Sequence, residues 1–102
     1  MANGKLGSAD LAADTNTTLY NPSGVYGVVN IALCNRTNSS ISIKVALADA
    51  ATPTDDEWLE YELILAGKGI FERTGIVVGD GEYLVVSSNT AGISAVVYGL
   101  EA

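Results

Sequence analysis

Four groups of residues in this 102-residue chain have types and spacings that chemistry could use. Glu60 and Glu62 stand two apart, and paired carboxylates carry glycoside hydrolysis when one is buried and the two face each other across a cleft. On an alternating strand the same pair is the solvated face of a sheet, which is the preferred reading. Asp55, Asp56 and Glu57 offer hard oxygen donors for calcium, but without the spacing of a calcium-binding loop. A solvated acidic loop accounts for them. Gly79-Asp80-Gly81-Glu82 has the composition of a phosphate or metal loop, and a tight turn explains it without a ligand. Cys34 is a potential nucleophile, yet the chain has no histidine to activate it, so the thiolate would be scarce. A small buried hydrophobe is the default for such a cysteine. The absence of histidine also removes the commonest general base and zinc ligand. No catalytic residue, cofactor site or metal site is expected, and the chain reads as non-enzymatic.

The residues left over suit recognition better than reaction. Arg36 and Arg73 are the only arginines, and each ends or interrupts an apolar stretch. Glu72 and Glu101 are the candidate acidic partners for them. Bidentate pairing would fix strand ends or a subunit contact; the alternative is an ordinary surface charge. The aromatic residues suggest a sugar-stacking platform, but most of them sit inside alternating strands, where core or interface packing is the better account. Trp58, on the glutamate face of its strand, is the one candidate for glycan stacking. Asn16, Asn35 and Asn38 begin glycosylation sequons, which here are most simply turn composition.

The elements that hold these residues follow from composition. Hydrophobic residues make up 48% and charged residues 17%, apolar enough for a folded core and too poor in charge for a disordered segment. The length suits one domain. Twelve acids against five bases give a formal charge of −7, and the five cations are scattered, so neither nucleic acid nor an anionic membrane is an expected partner. One cysteine excludes an intrachain disulfide. No apolar run approaches the roughly 20 residues that span a bilayer, and the first residues lack the apolar centre of a signal peptide, so a soluble protein made in a cytoplasm is expected.

Alternation then places the strands. Residues 1–15 are small and polar, with Leu6 and Leu11 as the large apolar side chains after Met1. They read as a flexible N-terminal arm that buries those leucines against a neighbour. Residues 16–102 read as the folded domain. Thr17–Tyr20 is a first strand, and Asn21-Pro-Ser-Gly24 a turn. Val25–Ala48 holds two apolar runs in a period of two and predicts a β-hairpin closed near Arg36–Ser40. Ile41, Ile43, Val45 and Leu47 form its inward face. Thr54 and Glu57 form a capping box that predicts a helical turn before Trp58. Trp58–Leu65 alternates, with Leu59, Tyr61, Leu63 and Leu65 on one side. Ile70–Val78 follows, with a bulge or bend at Gly75. Gly79-Asp-Gly81 predicts a hairpin turn; Glu82–Ser88 and Ile93–Leu100 complete the chain. The expectation is an all-β, single-domain antiparallel β-sandwich of jelly-roll or Greek-key type with about seven strands.

Several segments together resemble a known group of proteins. They are Gly4-Lys-Leu-Gly-Ser, Thr18-Leu-Tyr-Asn-Pro-Ser-Gly24, Val29-Asn-Ile-Ala-Leu-Cys-Asn-Arg36, Glu72-Arg-Thr-Gly-Ile76, Gly81-Glu-Tyr-Leu-Val85 and Tyr98-Gly-Leu-Glu101. The set is similar to small virion structural proteins of tailed bacteriophages, most of all those of marine cyanophages. The resemblance implies a noncatalytic β-sandwich, assembled in the bacterial host cytoplasm onto capsid or tail. Its expected partners are other virion proteins and copies of itself. Leu6, Leu11, Arg36 and Arg73 are then the expected assembly residues. A host-surface carbohydrate-binding module of a tail or fibre is the alternative function.

Overall fold

Alternating β-branched and aromatic residues between turn signals make strands, and the turns decide which strands become neighbours. The computed structural model describes residues 2–102. Among the described residues there are eight strands: β1 (Asn3–Asp10), β2 (Thr17–Tyr20), β3 (Gly27–Asn35), β4 (Ile41–Ala48), β5 (Trp58–Leu65), β6 (Ile70–Val78), β7 (Tyr83–Ser88) and β8 (Ile93–Glu101). They form two four-stranded antiparallel sheets. Sheet A runs β1-β8-β3-β6 and sheet B runs β2-β7-β4-β5. The pairs β1–β8, β2–β7, β3–β6 and β4–β5 are those of one long two-stranded ribbon. The ribbon folds over so that β3 also pairs with β8, and β4 with β7. This is the jelly-roll path.

The expected N-terminal arm over residues 1–15 is instead an edge strand. β1 pairs with β8 from Asn3↔Leu100 to Asp10↔Ser94, with a bulge between Lys5 and Gly7. Leu11 is 1% exposed within the protein's own core, and its N–H donates to the Ile93 carbonyl at 2.9 Å. Leu6 and Ala9 pack against that core as well. An edge strand needs only one thin apolar face, because backbone hydrogen bonds to β8 supply the rest, so its composition does not announce it. At Gly7 a Cβ would come within 2.5 Å of the Leu19 carbonyl oxygen, so glycine is what lets β1 lie this close to β2. Met1 lies outside the described residues.

The expected Val25–Ala48 hairpin is also corrected. β3 belongs to sheet A and β4 to sheet B, so the chain turns a corner between sheets rather than reversing within one. Both runs have a fully apolar inward face: Val29, Ile31 and Leu33 on β3, and Ile41, Ile43 and Val45 on β4. Facing each other across the core buries both sets at once, which pairing edge to edge would not do. Asn35 makes the corner. It is fully buried, and its amide donates to the carbonyls of Ser39, Leu65 and Ala66 at 2.8, 3.0 and 3.1 Å. Its side-chain oxygen accepts from the Thr37 N–H at 2.9 Å and the Thr37 hydroxyl at 2.7 Å. A buried amide so fully satisfied ties the β3–β4 and β5–β6 connections together.

The same distinction applies at Gly79-Asp-Gly81, which links β6 of sheet A to β7 of sheet B and is not a hairpin. Its acids serve the turn. Glu82 accepts from the Gly79 N–H at 2.6 Å, and Asp80 accepts from the Gly24 N–H at 2.8 Å in the Asn21–Gly24 turn. The β4–β5 connection does stay within sheet B. There the expected helical turn forms as a single 3-10 turn, Asp55–Glu57.

Candidate functional site

The outer face of sheet B is shaped by two irregularities in β5. The β4–β5 register runs Ile43↔Leu63, then Val45↔Glu60, then Ala46↔Trp58, so residues are inserted twice on the β5 side. Glu62 carries the first insertion with φ +55, the left-handed region. The insertions break the simple alternation. Tyr61, expected inward with Leu59, Leu63 and Leu65, is 57% exposed. It meets Trp58 edge-on, ring centroids 5.6 Å apart at 65°. Lys44 of β4 bridges them, its Nζ 4.7 Å from the Tyr61 centroid and 5.6 Å from that of Trp58. A cation over two aromatic faces is attracted by their quadrupoles.

Lys44 also lines an open polar cleft of about 300 Å³, with Asp14, Asn16, Ser42, Glu62 and Asn89 around it. Asp14, like Glu62, is left-handed, with φ +53. Glu60 and Glu62, expected side by side on one wet face, are separated. Glu62 lines this cleft, whereas Glu60 turns to the sandwich edge and accepts from Arg73 at 2.9 Å. They do not form a carboxylate pair facing one cleft.

The outer face of sheet A is built differently. Cross-strand neighbours share a side of a sheet. One lateral row therefore holds Leu100, Val28 and Val77, and successive rows hold Tyr98 with Asn30, Val96 with Ala32 and Glu72, and Ser94 with Cys34 and Ile70. Of the seven exposed large hydrophobic residues among those described, five lie on or beside this face: Tyr26, Val28, Ile70, Val77 and Leu100. Charge appears only on its outer strands, as Lys5 and Asp10 of β1 and Glu72 of β6. Cys34 is half-buried there.

Both arginines bind within the chain. Arg36 pairs with Asp10 at the end of β1, and the Arg36 N–H donates to Gly92 at 2.9 Å. Arg73 of β6 joins Glu60 of β5 across the open side of the sandwich. A bulge at Thr74–Gly75 puts Arg73 opposite Ile31, in the inward phase, as the β5 insertions do for Glu60. Glu72 and Glu101, the partners considered from sequence, are not used by either arginine. On the other side of the sandwich Glu101 of β8 accepts from the Tyr20 hydroxyl of β2 at 2.6 Å. Burial, then the adjacent Glu101 carboxylate, pushes the Tyr20 phenol well above its ordinary pKa. Glu57 moves the other way. N–H groups of Thr54 and Asp49 donate to its carboxylate at 2.8 and 2.9 Å and hold it below the usual range.

From sequence, Trp58 is singled out for stacking while Tyr61 is placed inward and Lys44 and the cleft go unseen, because the alternation is followed without interruption through β5. The available signal was Trp58-Leu-Glu-Tyr-Glu-Leu-Ile-Leu65, where two glutamates interleave with an aromatic. The residues that line the cleft come from distant parts of the chain, and only the jelly-roll winding brings them together. That winding defines a single-domain antiparallel β-sandwich whose two outer faces differ in character. No family model, curated protein or solved structure matches this chain.

Proposed function

We propose that the protein is a non-enzymatic virion structural protein that assembles on a phage particle through the outer face of sheet A, as a capsid decoration or tail accessory component. The observation that carries this reading is the uncharged apolar centre of that face on a chain of charge −7. Like charge opposes crowding of such chains, and an uncharged face lets them approach partners without burying unpaired ions. Its size is adequate. Strands of eight or nine residues, four abreast, present roughly 550 Å² at about 4.8 Å between strands and about 3.3 Å per residue. Doubled across a contact, that area just clears the roughly 1,000 Å² of a specific interface. Other virion proteins and copies of this chain are the proposed partners. The resemblance of the segments from Gly4–Ser8 to Tyr98–Glu101 supports the same reading.

The test is incorporation. Purified particles of the encoding phage should contain the protein by mass spectrometry, and a Val28→Glu/Val77→Glu variant should fold normally yet be lost from them. Its absence from mature particles, or full incorporation of the double variant, would sink the proposal.

A further inference from the structure

We propose that the outer face of sheet B is a binding site for a neutral saccharide of one or two rings, held between the Trp58–Tyr61 pair and the adjoining cleft. It lies on the side of the molecule opposite the proposed assembly face and does not depend on that reading. Sugars present an apolar C–H face and a rim of hydroxyls, so their sites combine an exposed aromatic ring with amides, carboxylates and hydroxyls. Tyr61 and Trp58 supply the rings. Asn16, Asn89, Ser42, Asp14 and Glu62 supply the polar rim, and Lys44 belongs to both parts. The volume of about 300 Å³ lies at the small end of ligand sites and suits a short sugar.

Two further features point to recognition rather than plain solvation. Asp14 and Glu62 are two of the three non-glycine residues among those described with positive φ, and both line this cleft. Left-handed backbone at a glutamate is costly, and such conformations gather where a side chain must be aimed. Neither of the two ion pairs among the described residues uses Asp14 or Glu62, so their carboxylates are free for a ligand, whereas the Lys44 ammonium already rests against the two rings. Neutrality of the sugar follows from charge. Two carboxylates at the rim and a net −7 repel sialylated or sulfated glycans.

The experiment is an array of neutral hexose and N-acetylhexosamine oligosaccharides, followed by NMR titration of the best binder into isotope-labelled protein. Saturable shifts are expected in the amides of Lys44, Glu62 and Asn89 and in the Trp58 indole. Tyr61→Ala should weaken binding about tenfold with the spectrum otherwise folded. Glu62→Gln, which keeps shape and removes charge, should weaken it as well. A flat array at high protein concentration, shifts that map to another surface, or affinities in both variants within about twofold of the parent would overturn the proposal.

Discussion

The two outer faces of this sandwich are made of similar strands and end up with opposite characters. Across sheet A, β3 and β8 pair without a break from Gly27↔Glu101 to Asn35↔Ile93. Alternation holds, and every second residue faces outward without charge: Val28, Asn30, Ala32 and Cys34 on β3, and Ser94, Val96, Tyr98 and Leu100 on β8. In sheet B the central pair β4–β7 is unbroken as well, but the edge strand β5 is interrupted twice, where β1 and β6 of sheet A carry one bulge each. Insertions in β5 turn Tyr61 outward beside Trp58 and send Glu60 to the edge. Regular pairing yields a broad uniform surface suited to a partner that is itself broad. Bulges yield a local, uneven one, where a few polar groups converge. The two proposals divide along this line, assembly on sheet A and a small ligand on sheet B.

The largest expected effect concerns whether sheet A has its fourth strand by right. If Leu11 anchors β1, Leu11→Ala should destabilise the protein by about 3 kcal/mol through a core cavity. Amide exchange along β1 should accelerate more than along β5. A loss below about 1 kcal/mol by chemical denaturation would return residues 1–15 to the status of a loosely held arm.

That strand marks the limit of what could be read. The sandwich, the turn positions, the Thr54–Glu57 cap and the Gly75 bulge were all legible, because each depends on local chemistry. β1 was not, since an edge strand draws its stability from β8 rather than from its own side chains. The β3–β4 corner was missed for a related reason. Thr37-Asn-Ser-Ser40 says that the chain turns, and nothing local says whether the next strand lies beside β3 or across the core from it. The information sits in Asn35, whose amide finds carbonyls at Leu65 and Ala66, some thirty residues later. On sheet B, Trp58 was visible as a residue type, while the cleft beside it depends on Glu62 adopting a backbone conformation that its identity does not advertise.

Glu62 gives the next test, and it sharpens the contrast between faces. Glu62→Gly should raise stability by about 0.5–1 kcal/mol, since glycine adopts positive φ without a Cβ penalty, set against its own chain entropy. The same variant should lose saccharide binding. Stability gained together with binding lost is the signature of a conformation kept for function. If Glu62→Gly instead destabilises the protein, the bulge is held by side-chain contacts and carries no such meaning.

The two seams that join the faces should separate by salt and by pH. Arg73→Met should cost about 0.5–1 kcal/mol, reduced by added salt, because the Arg73 and Glu60 side chains are 39% and 26% exposed and solvent screens the pair. The Tyr20–Glu101 seam should respond to alkali. Its phenol has a raised pKa when folded, so the neutral form stabilises the fold fully below the ordinary value of 10.0, and that stability drains away as pH climbs beyond it. Denaturation midpoints above pH 10 should therefore fall less in Tyr20→Phe than in the parent. Equal falls would show that other groups govern the alkaline limit.

The smallest effect is acidic and belongs to sheet B. Glu57 has a lowered pKa when folded, so its contribution is present above the ordinary carboxylate value of 4.5 and disappears as pH falls through the folded one. The carboxylate is solvent-exposed, so global stability should barely move. What it holds is local: the 3-10 turn that delivers the chain into Trp58. Acidification should shift the Thr54 and Asp49 amide resonances together with the Trp58 fluorescence, before any unfolding and without change at Val28 or Val77. A Trp58 signal that stays still while those amides move would mean that β4 pairing alone fixes the ring, and that the loop before it has no part in shaping the site.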